Sequence, residues 1–190
     1  MYGGAFWALW NLPRPLALAA AQESTEPVVF TEHEWRTVEA ITGRIVPTDH
    51  EPGAIEANCV NFIDKALANE DADLRPAYAA GLPSLDALAR ERHGNDFEAL
   101  GPEAQDAVLI ALEDDDAVRW PAEAGSAPEF FETVRTHTII GLLADAKYGG
   151  NQDYVGWKVV GYPGPRHHVG GYTPAQMLGR EPIRPIWDRE

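Results

Sequence analysis

Residues 30–47 read Phe-Thr-Glu-His-Glu-Trp-Arg-Thr-Val-Glu-Ala-Ile-Thr-Gly-Arg-Ile-Val-Pro, and the fold class follows from how this stretch starts, runs and stops. Thr31 can cap the first amides of a helix, and Glu34, three residues on, can return the bond to the cap. Trp35, Val38, Ile41 and Ile45 then recur at the spacing of one buried helical stripe, and Pro47 ends the run. A helix with a single apolar stripe needs other elements to bury it.

The sequence downstream supplies them. A second helix is predicted over 54–67, with Val60, Ile63 and Leu67 on one face and Cys59 within it. A third helical region, 72–92, carries Leu74, Tyr78, Leu82, Leu85 and Leu88, and Gly81 and Pro83 are expected to bend or split it. Gly101-Pro102 opens a helix that runs to Glu113 with Val108, Leu109 and Leu112 inward. The stretch 129–143, with Phe130, Phe131, Val134, His137, Ile140 and Leu142, is the most apolar and is expected at the centre of the core. No convincing alternating strand and no internal repeat occurs, so the body reads as all-α, an irregular multi-helix bundle.

From Tyr148 the pattern changes. Tyr148-Gly-Gly-Asn151, Gly156-Trp157 and Val159-Val-Gly-Tyr-Pro-Gly-Pro165 crowd glycine, proline and aromatic residues together, which breaks helices yet leaves large rings to be covered. Either the tail folds back over the body or it lies on a partner protein. We expect a helical body over 30–147 and an extended, Gly/Pro/aromatic-rich, partner-binding segment over 148–190. The expected contact residues are Tyr148, Asn151, Tyr154, Trp157, Tyr162 and Tyr172, the rings acting as rigid anchors.

Composition bounds the function. The 190 residues are 45% hydrophobic and 24% charged, which is ordinary globular usage. Fifteen Lys and Arg against thirty Asp and Glu leave a net charge of −15, which argues against a nucleic-acid partner and against an electrostatic hold on anionic lipid. The charge is uneven: 25 acidic and 8 basic residues lie between Glu23 and Ala144, but 5 and 6 between Asp145 and Glu190. The run Glu113 to Asp116 reads as a solvated helix end, since the spaced ligands of an EF-hand loop are missing. A single cysteine, Cys59, cannot form an internal disulfide, a four-cysteine zinc site or an iron–sulfur cluster within this chain.

Candidate chemistry is sparse. Asp49, His50 and Glu51 form a polar loop cluster between two prolines, for which a turn or capping role is preferred over acid–base work. His167-His168 is an adjacent pair whose side chains diverge. His33 is expected to face solvent, His137 to be a satisfied core histidine, and Cys59 a buried small hydrophobe. No glycine-rich phosphate cradle has the required strand, spacing and helix. No catalytic, cofactor-binding or metal-binding residue is assigned; the competing reading is an independent small enzyme or metal-binding protein using the loop histidines and aspartate.

The order of these elements is specific in combination. Phe30-Thr-Glu-His-Glu-Trp, Val38-Glu-Ala-Ile-Thr-Gly-Arg-Ile-Val-Pro-Thr-Asp, Pro52-Gly-Ala-Ile-Glu-Ala, Phe62-Ile-Asp, Phe130-Phe131, Arg135-Thr-His-Thr, Tyr148-Gly-Gly-Asn, Gly156-Trp157 and Gly161-Tyr-Pro-Gly together resemble the gluconate 2-dehydrogenase subunit 3 family over 30–165. The resemblance implies a non-catalytic small subunit of a sugar or polyol dehydrogenase, periplasmic or membrane-associated on the periplasmic face. It implies a large flavoprotein partner of the glucose-methanol-choline (GMC) type carrying FAD, in some members with an iron–sulfur cluster, and in some complexes a cytochrome c subunit. The small subunit of that family typically bears a twin-arginine export signal and escorts its folded, flavin-loaded partner.

Residues 1–29 are read against that background as an export-signal remnant or a docking arm. The apolar residues of 1–22 are broken by Asn-Leu-Pro-Arg-Pro and are too short to span a membrane, but they end in Ala-Leu-Ala-Ala-Ala-Gln, a pattern a signal peptidase accepts. No basic residue precedes them and no Arg-Arg pair lies near Met1, so a basic stretch is expected in the reading frame upstream. N-terminal sequencing of the native protein should find a mature chain beginning near Gln22. An intact Met1 on periplasmic protein would favour the docking arm.

Overall fold

The structure, a computed structural model, describes residues 26–117, 119–166 and 170–185. Thr31 caps α1 (Glu32–Ile45) as its sequence requires: the Glu34 amide donates to the Thr31 hydroxyl, and the Thr31 amide donates to the Glu34 carboxylate at 2.8 Å. A second reciprocal cap, Ser126 with Glu129, starts α5 (Ala127–Leu143) two residues ahead of the predicted start. Between them lie α2 (Cys59–Ala68), α3 (Arg75–His93) and α4 (Pro102–Glu113). The short helices α6 (Val155–Val159) and α7 (Pro174–Met177) follow. Among the described residues no strand occurs, and no helix is long and apolar enough to cross a membrane.

Helix α5 is central, packing against α1, α2, α3, α4 and α6. Its Phe130 and Val134 are buried with Val38 and Ile41 of α1, Ile63 and Leu67 of α2, Leu82 and Leu85 of α3, and Val108 and Leu112 of α4. Ile140, expected inward, is instead 44% exposed, and so are Ile139 and Leu143 in part. The side of the last two α5 turns that carries them is left open.

Two helix boundaries differ from the sequence reading, each for a physical reason. Helix α2 begins at Cys59 rather than near residue 54, because Asn58 takes a left-handed conformation with φ of 54° and interrupts the regular backbone. Helix α3 runs unbroken through Gly81 and Pro83. A Cβ at position 81 would stand 2.4 Å from the Phe130 ring, so the glycine is there to admit that ring, and the packing of Tyr78, Leu82 and Leu85 holds the helix through the missing proline amide.

Buried polar groups pin the segments between helices. Asp64 on α2, wholly buried, accepts hydrogen bonds from the backbone amides of Val28, Val29 and Phe30 at 2.6–2.9 Å. Each bond to a charged acceptor is worth about 1.5–3 kcal/mol, so one carboxylate fixes the chain that enters α1. On α5, His137 is enclosed as expected. Tyr78 donates to its Nδ1 at 2.8 Å and its Nε2 faces Asp71 at 3.4 Å, an arrangement the neutral ring satisfies. Burial lowers the His137 pKa and raises that of Tyr78. Cys59 is buried too, its thiol pushed up to about 12 by desolvation.

His33 departs from the expected solvent-facing role. Its Nε2 lies 2.7 Å from Asp86 of α3, which is buried and also accepts the Phe97 amide, and its Nδ1 lies 3.5 Å from Glu98. The hydrogen bond to Asp86 holds the His33 pKa above the ordinary 6.5 against partial desolvation. The folded chain therefore favours the imidazolium. Its stabilising contribution is complete below the unfolded value and is lost as pH rises through the raised folded value. Because His137 contributes the opposite slope, the test is a difference: the stability advantage of wild type over His33→Gln in chemical denaturation should shrink as pH rises from about 6.5, with the helical signal intact in both.

Candidate functional site

The last carbonyls of a helix have no partner within it, and at the end of α5 they meet the Gly/aromatic segment. Asn151, fully buried, donates from Nδ2 to the Ala144 carbonyl at 2.8 Å and accepts the Gly156 amide on Oδ1 at 2.9 Å. The Trp157 indole donates to the Leu143 carbonyl at 2.6 Å. Asn61 of α2 donates to the Gly149 carbonyl at 2.7 Å. Residues 148–160 are thus not an extended arm. They form two short 3₁₀ turns, Ala146–Tyr148 and Gln152–Tyr154, followed by α6; the first turn packs on α2, α6 packs on α5, and the second turn lies against the first and α6.

The glycines of the motif are required by this approach. A Cβ at Gly150 would lie 2.2 Å from the Gly141 carbonyl oxygen, and one at Gly156 would lie 1.9 Å from that of Leu142. Both residues set backbone directly on the α5 terminus. Gly141 has the same relation to α2, since its Cβ would press the Phe62 ring at 3.1 Å.

The six residues expected at the partner surface divide by burial. Asn151 and Trp157, the latter only 6% exposed, are covered by the chain itself. Tyr154 stacks on Trp157 with ring centroids 5.1 Å apart, and Tyr162 meets it edge-on at 4.9 Å. Tyr148 is 48% exposed and Tyr162 37%, while Tyr154 and Tyr172 are half-buried, the Tyr172 hydroxyl donating to the Gly164 carbonyl. The sequence reading missed Ile139, Ile140, Leu143, Val159 and Val160, all exposed beside this cap. Ile139 and Ile140 could have been found by asking which apolar residues of so apolar a helix exceed one buried face.

The remaining candidates are structural or lie elsewhere. Asp49 accepts the Glu51 amide at 2.8 Å, which lowers its pKa, and His50 is 85% exposed with Nδ1 3.1 Å from Asp49. This is an exposed turn closed by its own aspartate. His167, His168 and residues 1–25 lie outside the described residues. Among the described residues no group of three or more His, Cys, Asp or Glu is placed to hold a metal.

The model of the family described as gluconate 2-dehydrogenase subunit 3 matches residues 32–164, which span α1 to α6 and end at the Gly164 turn. No curated protein and no solved structure matches the chain.

If the Gly/aromatic segment closes α5, its polar and glycine positions should matter for folding. Asn151→Ala removes two hydrogen bonds and leaves a left-handed backbone without asparagine, a loss of about 2–4 kcal/mol. Gly156→Ala should detach the segment. Limited proteolysis should then cut within 145–165 while the far-UV helical signal of the body persists.

Proposed function

We propose that this chain, which belongs to the gluconate 2-dehydrogenase subunit 3 family, acts as the non-catalytic small subunit of a sugar or polyol dehydrogenase whose FAD is carried by a large GMC-type flavoprotein. A subunit of this family works within a multi-subunit dehydrogenase, and the question is what this chain contributes to it. The observation that carries the reading is the distribution of exposed apolar side chains. Among the described residues twelve large ones are exposed, and nine of these lie between Ile139 and Leu178. Exposed apolar residues gathered into one stretch beside a strongly acidic body are what an assembly surface requires.

The physical role is to cover apolar surface on the partner with the α5 end and the segment that caps it. Binding of this kind stabilises whichever partner folds to present the matching face. A chain that binds only the folded, flavin-loaded partner is suited to accompany it through an export route for folded proteins. The Ala-rich end of the 1–22 stretch supports a periplasmic destination, and the resemblance described above supports the flavoprotein partner.

Co-expression with the large dehydrogenase subunit tests this. Wild-type chain should co-purify with a yellow flavoprotein. Ile140→Asp, on the exposed side of α5, should weaken the pair by about tenfold or more, about 1.4 kcal/mol, with no loss of thermal stability in the isolated small subunit. A wild-type chain that purifies alone and colourless from such cells would contradict the proposal.

A further inference from the structure

Helices α6 and α7 and the loops around them enclose a groove of about 530 Å³. Its walls include Tyr162, Met177 and Leu178, which are 37%, 64% and 62% exposed, together with the cations Lys158 and Arg180. The α7 side of the groove, residues 176–183, lies beyond the family match at 32–164.

Most cations of the body up to the end of α5 are committed: Arg75 donates to the Leu67 and Ala68 carbonyls, Lys65 is half-buried, and Arg119 alone is exposed with neither an ion pair nor such a bond among the described residues. Arg36 is paired with Glu32 and Glu98, Arg44 with Asp106, Arg90 with Asp96, Arg92 with Asp116 and Arg135 with Glu132. Lys158 and Arg180 are exposed and have no ion pair among the described residues. Glu181, the acidic residue of the same walls, accepts a hydrogen bond from the Thr173 hydroxyl at 3.0 Å. In a chain of net charge −15, the groove thus carries two unpaired cations against one carboxylate, together with exposed Met177 and Leu178.

We propose that this groove receives an acidic, apolar-bearing segment of the large dehydrogenase subunit, laid against Met177 and Leu178 with its carboxylates on Lys158 and Arg180. The inference rests on the assembly reading above and adds the chemistry of the segment recognised. Charge complementarity selects that chemistry, because an acidic segment is repelled by the body and attracted where unpaired cations stand together beside exposed apolar side chains, as Lys158 and Arg180 do here. The open groove suits a chain laid along it rather than a small molecule, since a small-molecule site buries most of its ligand.

The test uses the co-expressed complex. Lys158→Glu and Arg180→Glu should each weaken assembly at least tenfold at low salt and reduce its salt dependence. Arg119→Glu, the same charge change on the loop before Trp120, should not. A photo-crosslinker at position 177 should capture a peptide of the flavoprotein that contains Asp or Glu. Capture of residues 1–25 or 186–190 of this chain, of a second copy, or of a flavoprotein peptide lacking Asp and Glu would overturn the groove assignment. Assembly unaffected by either reversal would overturn it as well, with the assembly reading intact. Wild-type chain that forms no complex with the flavoprotein would overturn both.

Discussion

A helix leaves its last carbonyls without donors of its own, and the arrangement of this chain after residue 143 answers that constraint. The Leu143 and Ala144 oxygens at the end of α5 have no donor within the helix, and their hydrogen bonds to the following segment are partly buried. Trp157 and Asn151 supply the donors from seven to fourteen residues further along the chain. To bring them there the backbone must lie on the helix end, which only glycine permits at positions 150 and 156. The asparagine, the glycines and the indole are therefore parts of one cap, and substituting any of them disturbs the others.

Much of the body was legible because its signals are local. Thr31 with Glu34, the stripe of α1 and the proline at the start of α4 each act within a turn or two of chain, where sequence spacing and spatial spacing coincide. What was not legible depends on partners far along the chain. Gly81 and Pro83 look like a break until the Phe130 ring, forty-nine residues on, occupies the space the glycine leaves. His33 looks solvent-facing until α3 brings Asp86 beside it. Asn151 and Trp157 were legible as special residues but not in their direction, since composition cannot say whether a ring is covered by its own chain or by another.

The acidic excess separates into two populations with different work. Asp64 and Asp86 are buried and hold backbone amides at the entry to α1 and at Phe97, so they order loops that apolar packing does not reach. The run from Glu113 to Asp116 is largely exposed. Its charge is poorly suited to apolar contact, while the α5 end and the segment after it carry most of the exposed large apolar residues and a near-neutral charge. The polarity of the surface is thus laid down along the chain: acidic until α5 ends, mixed afterwards.

On the assembly reading proposed above, this layout would couple folding to assembly. Residues 148–160 hold the end of α5 with their inner face and present Tyr148, Val159 and Val160 on the outer one. A partner seated on that outer face would stabilise the cap, because anything that binds only the closed arrangement adds its binding free energy to it. The reverse would then hold by linkage: whatever loosens Asn151 or Trp157 would reduce affinity for a partner on that face, although the chain itself covers both side chains. A buried residue can in this way govern an interface that it does not line, and effects on stability and on assembly would share one structural origin.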